Sequence, residues 1–156
     1  MLRVDVRGLR QGAVETVGEL GPADEAFVGL GLSLDGPVSV DGALEARGAG
    51  TFLWRGSLGG RLRGECRRCL SGVVTSFAVA VEALFSTDPD LESDPGVYPL
   101  AEPVQTIDLT PVVREEVGLA VTPYPLCRED CAGLCPRCGA DLNAGPCACT
   151  DSAATT

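Results

Sequence analysis

Apolar and polar residues alternate most regularly over Val73–Phe85, near the middle of the chain. The odd-numbered positions of this run are almost all apolar, and successive side chains of a strand point to opposite faces of its sheet. The run therefore predicts a β-strand with one buried face. Shorter alternating segments precede it, so the pattern favours a mainly antiparallel β-sheet, or a barrel-like arrangement, up to about residue 85.

A second alternating segment, residues 60–66, ends at the first pair of cysteines. It places Arg61 and Arg63 on the same strand face. Cys66 and Cys69 then fall at the turn between two predicted strands. A zinc-binding knuckle would fit such a turn.

The polar segment 86–104 interrupts this pattern with four prolines and five acidic residues. Proline cannot donate a hydrogen bond to a strand ladder, and so polar a segment cannot bury itself. We therefore expect a mobile acidic loop here.

An amphipathic helix is predicted at about residues 108–121, where apolar residues recur at helical spacing. Asp108 or Thr110 can cap its N-terminus, Pro111 suits the first turn, and Arg114 is expected to point outward. The expected fold class is thus α+β. Its parts are a β-rich core over residues 1–122, a small cysteine-rich element that resembles a zinc ribbon over 123–149, and a disordered tail over 150–156.

Charge and composition narrow the functional classes. The chain has 156 residues, no histidine, a formal charge of −10, and arginine at all twelve basic positions. The acidic balance argues against general nucleic-acid binding, although a local basic face remains compatible with it. The N-terminal residues do not resemble a signal peptide, and no apolar run is long enough to span a membrane. We therefore expect a cytoplasmic protein with no membrane association.

Cysteine pairs in a reducing cytoplasm bind metal or carry out redox chemistry more often than they form disulfides. Zinc favours four thiolates in a tetrahedron, and a Cys-x-x-Cys pair places two sulfurs on one side of the metal. Six of the eight cysteines lie in residues 127–149, and Gly139 follows "CPRC", where a turn favours positive φ. About two zinc ions are expected. A single zinc site, an iron–sulfur cluster and thiol-redox chemistry are the alternatives.

Eight cysteine ligands can be divided between two metals in more than one way. The more local division closes one site within residues 127–138. The division that we favour gives each metal two closely spaced pairs, and its members are Cys66, Cys69, Cys127 and Cys131 for the first zinc, and Cys135, Cys138, Cys147 and Cys149 for the second.

The segments "RGECRRCLSGV", "IDLTPVVREEVGLAV" and "PLCREDCAGLCPRCGADLNAGPCAC" resemble the YceD family of large ribosomal RNA subunit accumulation proteins. The likeness is strong in the second half of the chain and general in the first. It implies a role in the synthesis, processing or stability of the large-subunit ribosomal RNA. Some members keep the first Cys-x-x-Cys pair and lack the segment 135–149, which is what the resemblance adds in favour of the second division.

Half of the basic residues lie between Arg47 and Arg68, with a single acid among them. Guanidinium groups bind phosphate through paired hydrogen bonds. We therefore hypothesise an RNA-binding face, with a solvated strand face as the equally weighted alternative. Its members would be Arg55, Arg61, Arg63, Arg67 and Arg68.

The expected function is a non-enzymatic zinc-binding factor that supports 23S ribosomal RNA accumulation and large-subunit assembly. Its partners would be large-subunit RNA, its precursors, or ribosomal and RNA-processing proteins, with no small-molecule substrate. Without histidine there is no ordinary catalytic triad, and the chain contains no phosphate-binding glycine motif. The alternatives are a thiol-redox protein and a protein-only adaptor that recruits a basic partner.

Overall fold

The computed structural model of the protein describes residues 2–48 and 50–149, so the predicted disordered tail at 150–156 lies outside the described residues. Strands make up most of the first 108 residues. The elements in chain order are β1 (Arg3–Asp5), β2 (Val14–Leu20), β3 (Ser33–Leu34), β4 (Val38–Gly48), β5 (Thr51–Glu65), β6 (Gly72–Ser86), β7 (Val97–Pro99), β8 (Thr106–Asp108) and α1 (Thr110–Leu119), with short 3₁₀ turns at Val6–Gln11, Glu25–Phe27 and Pro89–Leu91.

Six strands form the main sheet, in the order β2-β4-β5-β6-β7, with β3 also paired to β5. β2 and β5 both run antiparallel to β4. The six residues 66–71 that join β5 to β6 are too few for a parallel crossover, so these neighbours are antiparallel as well. β1 and β8 form a separate antiparallel pair. The α+β prediction is confirmed.

The strand predicted at Val73–Phe85 is confirmed as β6. From Val73 to Phe85, its odd-numbered residues are more buried than their even-numbered neighbours. Val81, Ala83 and Phe85 reach the core and are at most 6% exposed. Alternation therefore identified both the strand and its buried face.

The helix α1 is shorter than the pattern suggested and spans Thr110–Leu119. The Asp108 carboxylate accepts a hydrogen bond from the Thr110 N–H at 2.9 Å, and Val112, Val113 and Val117 are buried. Arg114, expected to point outward, instead donates from its guanidinium to two backbone carbonyls of the 24–28 turn at 2.6 and 2.8 Å. That interaction is non-local, so helical periodicity alone could not indicate it.

The segment 86–104 is partly regular, which corrects the expectation of a loop throughout. β7 (Val97–Pro99) runs parallel to the end of β6, with Tyr98 opposite Phe85. Pro99 is tolerated there because β7 is an edge strand and need not donate on both sides. The Tyr98 and Phe85 rings lie with their centroids 5.2 Å apart, which holds this strand to the core.

The chain divides into two compact units. The first comprises residues 1–62 and 76–121, and the second comprises residues 63–75 and those from 122 onward. The second unit thus includes the turn between β5 and β6 as well as the cysteine-rich segment. Among the helices that the structure describes, none has the length and apolarity needed to cross a membrane.

Trp54 lies at the centre of the core of the first unit and is fully buried. Its indole N–H donates to the Thr16 hydroxyl at 2.8 Å. The ring lies against Gly42 and Gly56, which face each other across β4 and β5. A Cβ atom on Gly56 would lie 2.5 Å from the Trp54 ring, so glycine is required here by close approach.

We expect Gly56→Ala to lower the free energy of unfolding by about 1 to 3 kcal/mol, the usual cost of overpacking a filled core. Gly21→Ala is the matched control, because a Cβ atom there meets nothing within 4 Å. Urea unfolding of both variants gives the comparison. Equal stability of the two would contradict the packing role assigned to Gly56.

Candidate metal centres

The turn between β5 and β6 is shaped by hydrogen bonds around the first Cys-x-x-Cys pair. The Cys66 N–H donates to the Ser71 carbonyl at 2.8 Å, and the Leu70 N–H donates to the Cys66 carbonyl at 2.9 Å. Leu70 has φ of 62°, in the left-handed region. The turn is therefore tight enough to place the sulfurs of Cys66 and Cys69 on the same side of the backbone.

The second Cys-x-x-Cys pair repeats this geometry at equivalent positions. The Cys135 N–H donates to the Ala140 carbonyl at 2.8 Å, and the Gly139 N–H donates to the Cys135 carbonyl at 2.8 Å. Gly139 has φ of 73°. The two turns are thus the same structural unit, built once with leucine and once with glycine at the left-handed position.

Backbone N–H groups in each turn stabilise the thiolate of the leading cysteine. The pKa of Cys66 is lowered to about 6, chiefly by a hydrogen bond from the Cys69 backbone. The pKa of Cys135 is also lowered to about 6, with the Cys138 backbone as the main cause. Hydrogen bonding to the charged form lowers a thiol pKa, and the thiolate is the form that binds metal.

The first group of sulfurs joins the β5–β6 turn to the chain that follows α1. All four sulfurs of Cys66, Cys69, Cys127 and Cys131 lie within 4.8 Å of one another. The Cys66–Cys131 sulfurs are 3.8 Å apart, and the Cys69–Cys127 sulfurs are 3.6 Å apart. A tetrahedron with zinc–sulfur bonds of about 2.3 Å has sulfur–sulfur edges of about 3.8 Å, so the spacing fits a metal.

The second group lies entirely within 15 residues of sequence, from Cys135 to Cys149. The sulfurs of Cys135, Cys138, Cys147 and Cys149 also lie within 4.8 Å of one another. The pKa of Cys149 is raised to about 12, mainly by its hydrogen bond with the Cys138 side chain. Neighbouring thiols cannot all ionise unaided, and a cation among them removes that restriction.

The structure therefore brings the eight sulfurs together in the two groups that the sequence analysis favoured, and the local grouping within 127–138 is not the one observed. None of these eight cysteines, all within the described residues, forms a disulfide. Each group could hold a metal ion with four sulfur ligands. That these cysteines bind metal remains a prediction.

The sequence of this chain matches a known protein family. The YceD family, described as large ribosomal RNA subunit accumulation protein, matches residues 54–155, which include all eight cysteines. The chain belongs to the YceD family. The matched region covers both cysteine groups and the strands and helix between them.

Relatives in mycobacteria share part of the chain. An uncharacterized protein of Mycobacterium tuberculosis is 42% identical over 88 residues, which cover 53% of this chain and 41% of that protein. One from Mycobacterium leprae is 29% identical over 147 residues, which cover 89% of this chain and 65% of that protein. This YceD-family chain thus spans less than two thirds of the relatives that it matches. No solved structure matches.

The arginines of the hypothesised RNA-binding face contact other groups of the protein. Arg55 pairs with Glu82 at 2.7 Å, and Arg61 pairs with Asp35 at 3.1 Å. Arg63 is exposed on β5. RNA binding by this set stays a prediction, and the ion pairs reduce the positive charge that Arg55 and Arg61 offer to phosphate.

Arg67 and Arg68 contact the cysteine-rich segment. Arg67 lies over the Tyr124 ring at 4.9 Å from its centroid, an aromatic contact that sequence proximity did not suggest. Arg68 donates to the Glu129 and Cys131 carbonyls at 3.3 and 2.9 Å. These contacts hold the first Cys-x-x-Cys turn against the chain that supplies the other two sulfurs.

Asn143 is a site residue that the cysteine pattern by itself did not identify. Its side-chain amide donates to the Cys131 sulfur at 3.4 Å. A signal was present, because Asn143 is the only asparagine of the chain and lies between the two pairs of the second group. The position of Asn143 in the sequence does not indicate its hydrogen-bond partner, which is a cysteine of the first group.

Leu70 tests the equivalence of the two turns. A left-handed φ is costly for any residue with a Cβ atom. We therefore expect the Leu70→Gly variant to be more stable than the Leu70→Ala variant, with a free energy of unfolding higher by about 1 kcal/mol. Leu70 is 61% exposed, so both variants lose little burial and Leu70→Ala controls for that loss. Urea unfolding with zinc present measures the difference. A less stable glycine variant would refute the strain at Leu70.

Proposed function

We propose that the protein is a non-enzymatic zinc-binding factor that acts in the cytoplasm and supports 23S ribosomal RNA accumulation and large-subunit assembly. The observation that carries this proposal is the pair of four-sulfur groups, each built on a Cys-x-x-Cys turn. Family membership supplies the process, since the family is described as a large ribosomal RNA subunit accumulation protein.

Zinc is the metal that this donor set suits best. Four thiolates at tetrahedral spacing form a closed structural site, with no open position for a substrate or a reactive water. Within the described part of the second unit, the buried residues are Cys66, Cys131, Gly133 and Cys135. A unit without an apolar core depends on metal binding for its folding free energy.

The thiol-redox alternative fits the burial less well. Reactive cysteines combine a low pKa with access to a partner. Cys66 has the lowered pKa, but it is fully buried. Cys135, the other thiol with a pKa of about 6, is only 7% exposed. Cys66 and Cys135 are therefore placed for binding a cation rather than for attack on an external disulfide, whereas Cys69, whose pKa is also lowered, is half-buried.

Charge favours a protein partner over direct contact with RNA. The first unit has 17 acidic residues against 7 arginines, and the second has 5 of each. Two zinc ions with eight thiolates would add further negative charge to the second unit. We infer that the protein acts through a basic ribosomal or RNA-processing protein, because an acidic surface attracts such a partner and repels phosphate.

The protein as isolated is expected to carry about two zinc ions per chain, bound by sulfur alone at about 2.3 Å. Elemental analysis gives the number, and X-ray absorption at the zinc edge gives the ligands and the distance. A metal-free protein, or disulfides within the Cys66–Cys69 and Cys135–Cys138 pairs, would overturn the zinc assignment. Zinc loading before measurement controls for metal lost in purification.

The double variant Arg61→Ala, Arg63→Ala distinguishes the two routes to large-subunit RNA. We expect its recovery of large-subunit precursors in crosslinked pulldowns to equal that of the wild type, because the contact runs through protein. Arg3→Ala, Arg47→Ala removes the same charge elsewhere and serves as control. Weaker recovery by the first variant alone, with the salt slope reduced by about 0.7 to 0.9 per lost contact, would instead establish direct phosphate binding.

A further inference from the structure

The second four-sulfur group is linked to the first by one side chain. Asn143 belongs to the eight-residue loop between Cys138 and Cys147, both of the second group. Its side-chain N–H donates to the sulfur of Cys131, which belongs to the first group. The position of Asn143 is therefore set by the loop of the second group, while its side chain contacts a candidate ligand atom of the first group.

The orientation of the Asn143 amide is fixed by the groups on either side of it. Its Oδ1 accepts from the Ala132 N–H at 2.8 Å and from the Arg128 guanidinium at 2.7 Å. Its Nδ2 donates to the Asp141 carboxylate at 2.7 Å as well as to Cys131. A flipped amide would place its N–H₂ against two donors and its oxygen against a carboxylate, so only this orientation satisfies the network.

The first group contributes to holding Asn143 as well. Arg128 follows Cys127 and Ala132 follows Cys131, so both donors to Oδ1 are next in sequence to ligand candidates of the first group. On the other side, the Asn143 N–H donates to the Asp141 side chain at 2.9 Å, and Leu142 donates to the Gly133 carbonyl at 2.9 Å. A change in the position of either cysteine group would therefore alter the hydrogen bonds that hold the Asn143 side chain against the other group.

The two groups differ in the length of chain that each must close. The second lies within 15 residues, whereas Cys69 and Cys127 of the first are 58 residues apart. Most of the chain between Cys69 and Cys127 belongs to the folded first unit, whereas the Asn143 loop has no such support of its own. A filled second centre would hold both ends of the Asn143 loop and so keep the amide against Cys131.

We propose that Asn143 is a positioning residue that couples the two metal centres, so that metal in the second centre raises the affinity of the first. This inference rests on the proposed zinc binding. An N–H···S bond stabilises the bound thiolate of Cys131, and loss of such a supporting contact typically weakens metal binding by about 10- to 100-fold. Because coupling is reciprocal, metal in the first centre raises the affinity of the second by the same factor.

The test measures each centre separately in the full chain. Chelator competition with zinc gives the affinities, and ¹¹³Cd NMR of the cadmium-loaded chain gives a signal for each centre. Asn143→Ala, and separately the pair Cys147→Ser, Cys149→Ser, should each weaken the first centre by about 10- to 100-fold. The three substitutions together should weaken it no further than the cysteine pair alone, because both act through one contact.

Two further variants separate positioning from general damage. Asn143→Asp keeps the acceptor for Ala132 and Arg128 but cannot donate to Cys131, so it should weaken the first centre and shift that centre's cadmium signal. Asp130→Ala is the control, because the Asp130 side chain is 86% exposed and pairs with Arg128 at 3.4 Å. It should leave both signals in place.

The possible outcomes are distinct. First-centre affinity within twofold of the wild type in Asn143→Ala, effects that multiply in the triple variant, or an equal loss in Asp130→Ala would overturn the coupling. Two zinc ions that bind independently would remove this inference and leave the proposed function intact. A chain that binds no zinc would remove the proposed function itself.

Discussion

The second unit of this protein is organised by two groups of four cysteine sulfur atoms, and within each group the sulfurs lie close together. Thiolates within 4.8 Å of one another repel strongly unless a cation lies among them, and burial of Cys66 and Cys131 strengthens that repulsion. Apolar packing does not compensate, because the buried residues in the described part of this unit are three cysteines and one glycine. Under the proposed function, metal binding would supply the folding free energy that this unit lacks from apolar packing.

The first unit is stabilised by a different interaction. Trp54 fills the core between β2, β4 and β5, and its one polar atom is satisfied by Thr16. Gly42 and Gly56 on the facing strands have no side chains, and the space that this leaves is filled by the Trp54 ring. Ion pairs such as Arg61–Asp35 lie outside this core, where solvent reduces their contribution to stability.

The two Cys-x-x-Cys turns show how one geometry can be reached from unlike sequences. The same pair of backbone hydrogen bonds closes both turns, although Leu70 occupies the left-handed position in one and Gly139 occupies it in the other. The requirement is set by the sulfur atoms, since the turn must point backbone N–H groups at the leading thiolate. The proposed metal binding would offset the strain at Leu70, which an ordinary surface turn would avoid.

The sequence by itself determined the α+β class, the long strand β6, the presence of one helix within about 108–121 and the chemical identity of the eight candidate ligands. These follow from periodicity, capping and cysteine spacing, all of which act over a few residues. Spacing left two divisions of the eight cysteines open. The tertiary structure supports one of them, because a turn between two strands brings Cys66 and Cys69 to residues 58 or more positions away. The same kind of long-range contact gave Arg61, Arg67, Arg114 and Asn143 partners that local pattern could not name. Which side chains meet across such distances is decided by sheet pairing and loop closure, and neither leaves a periodic signal in the sequence.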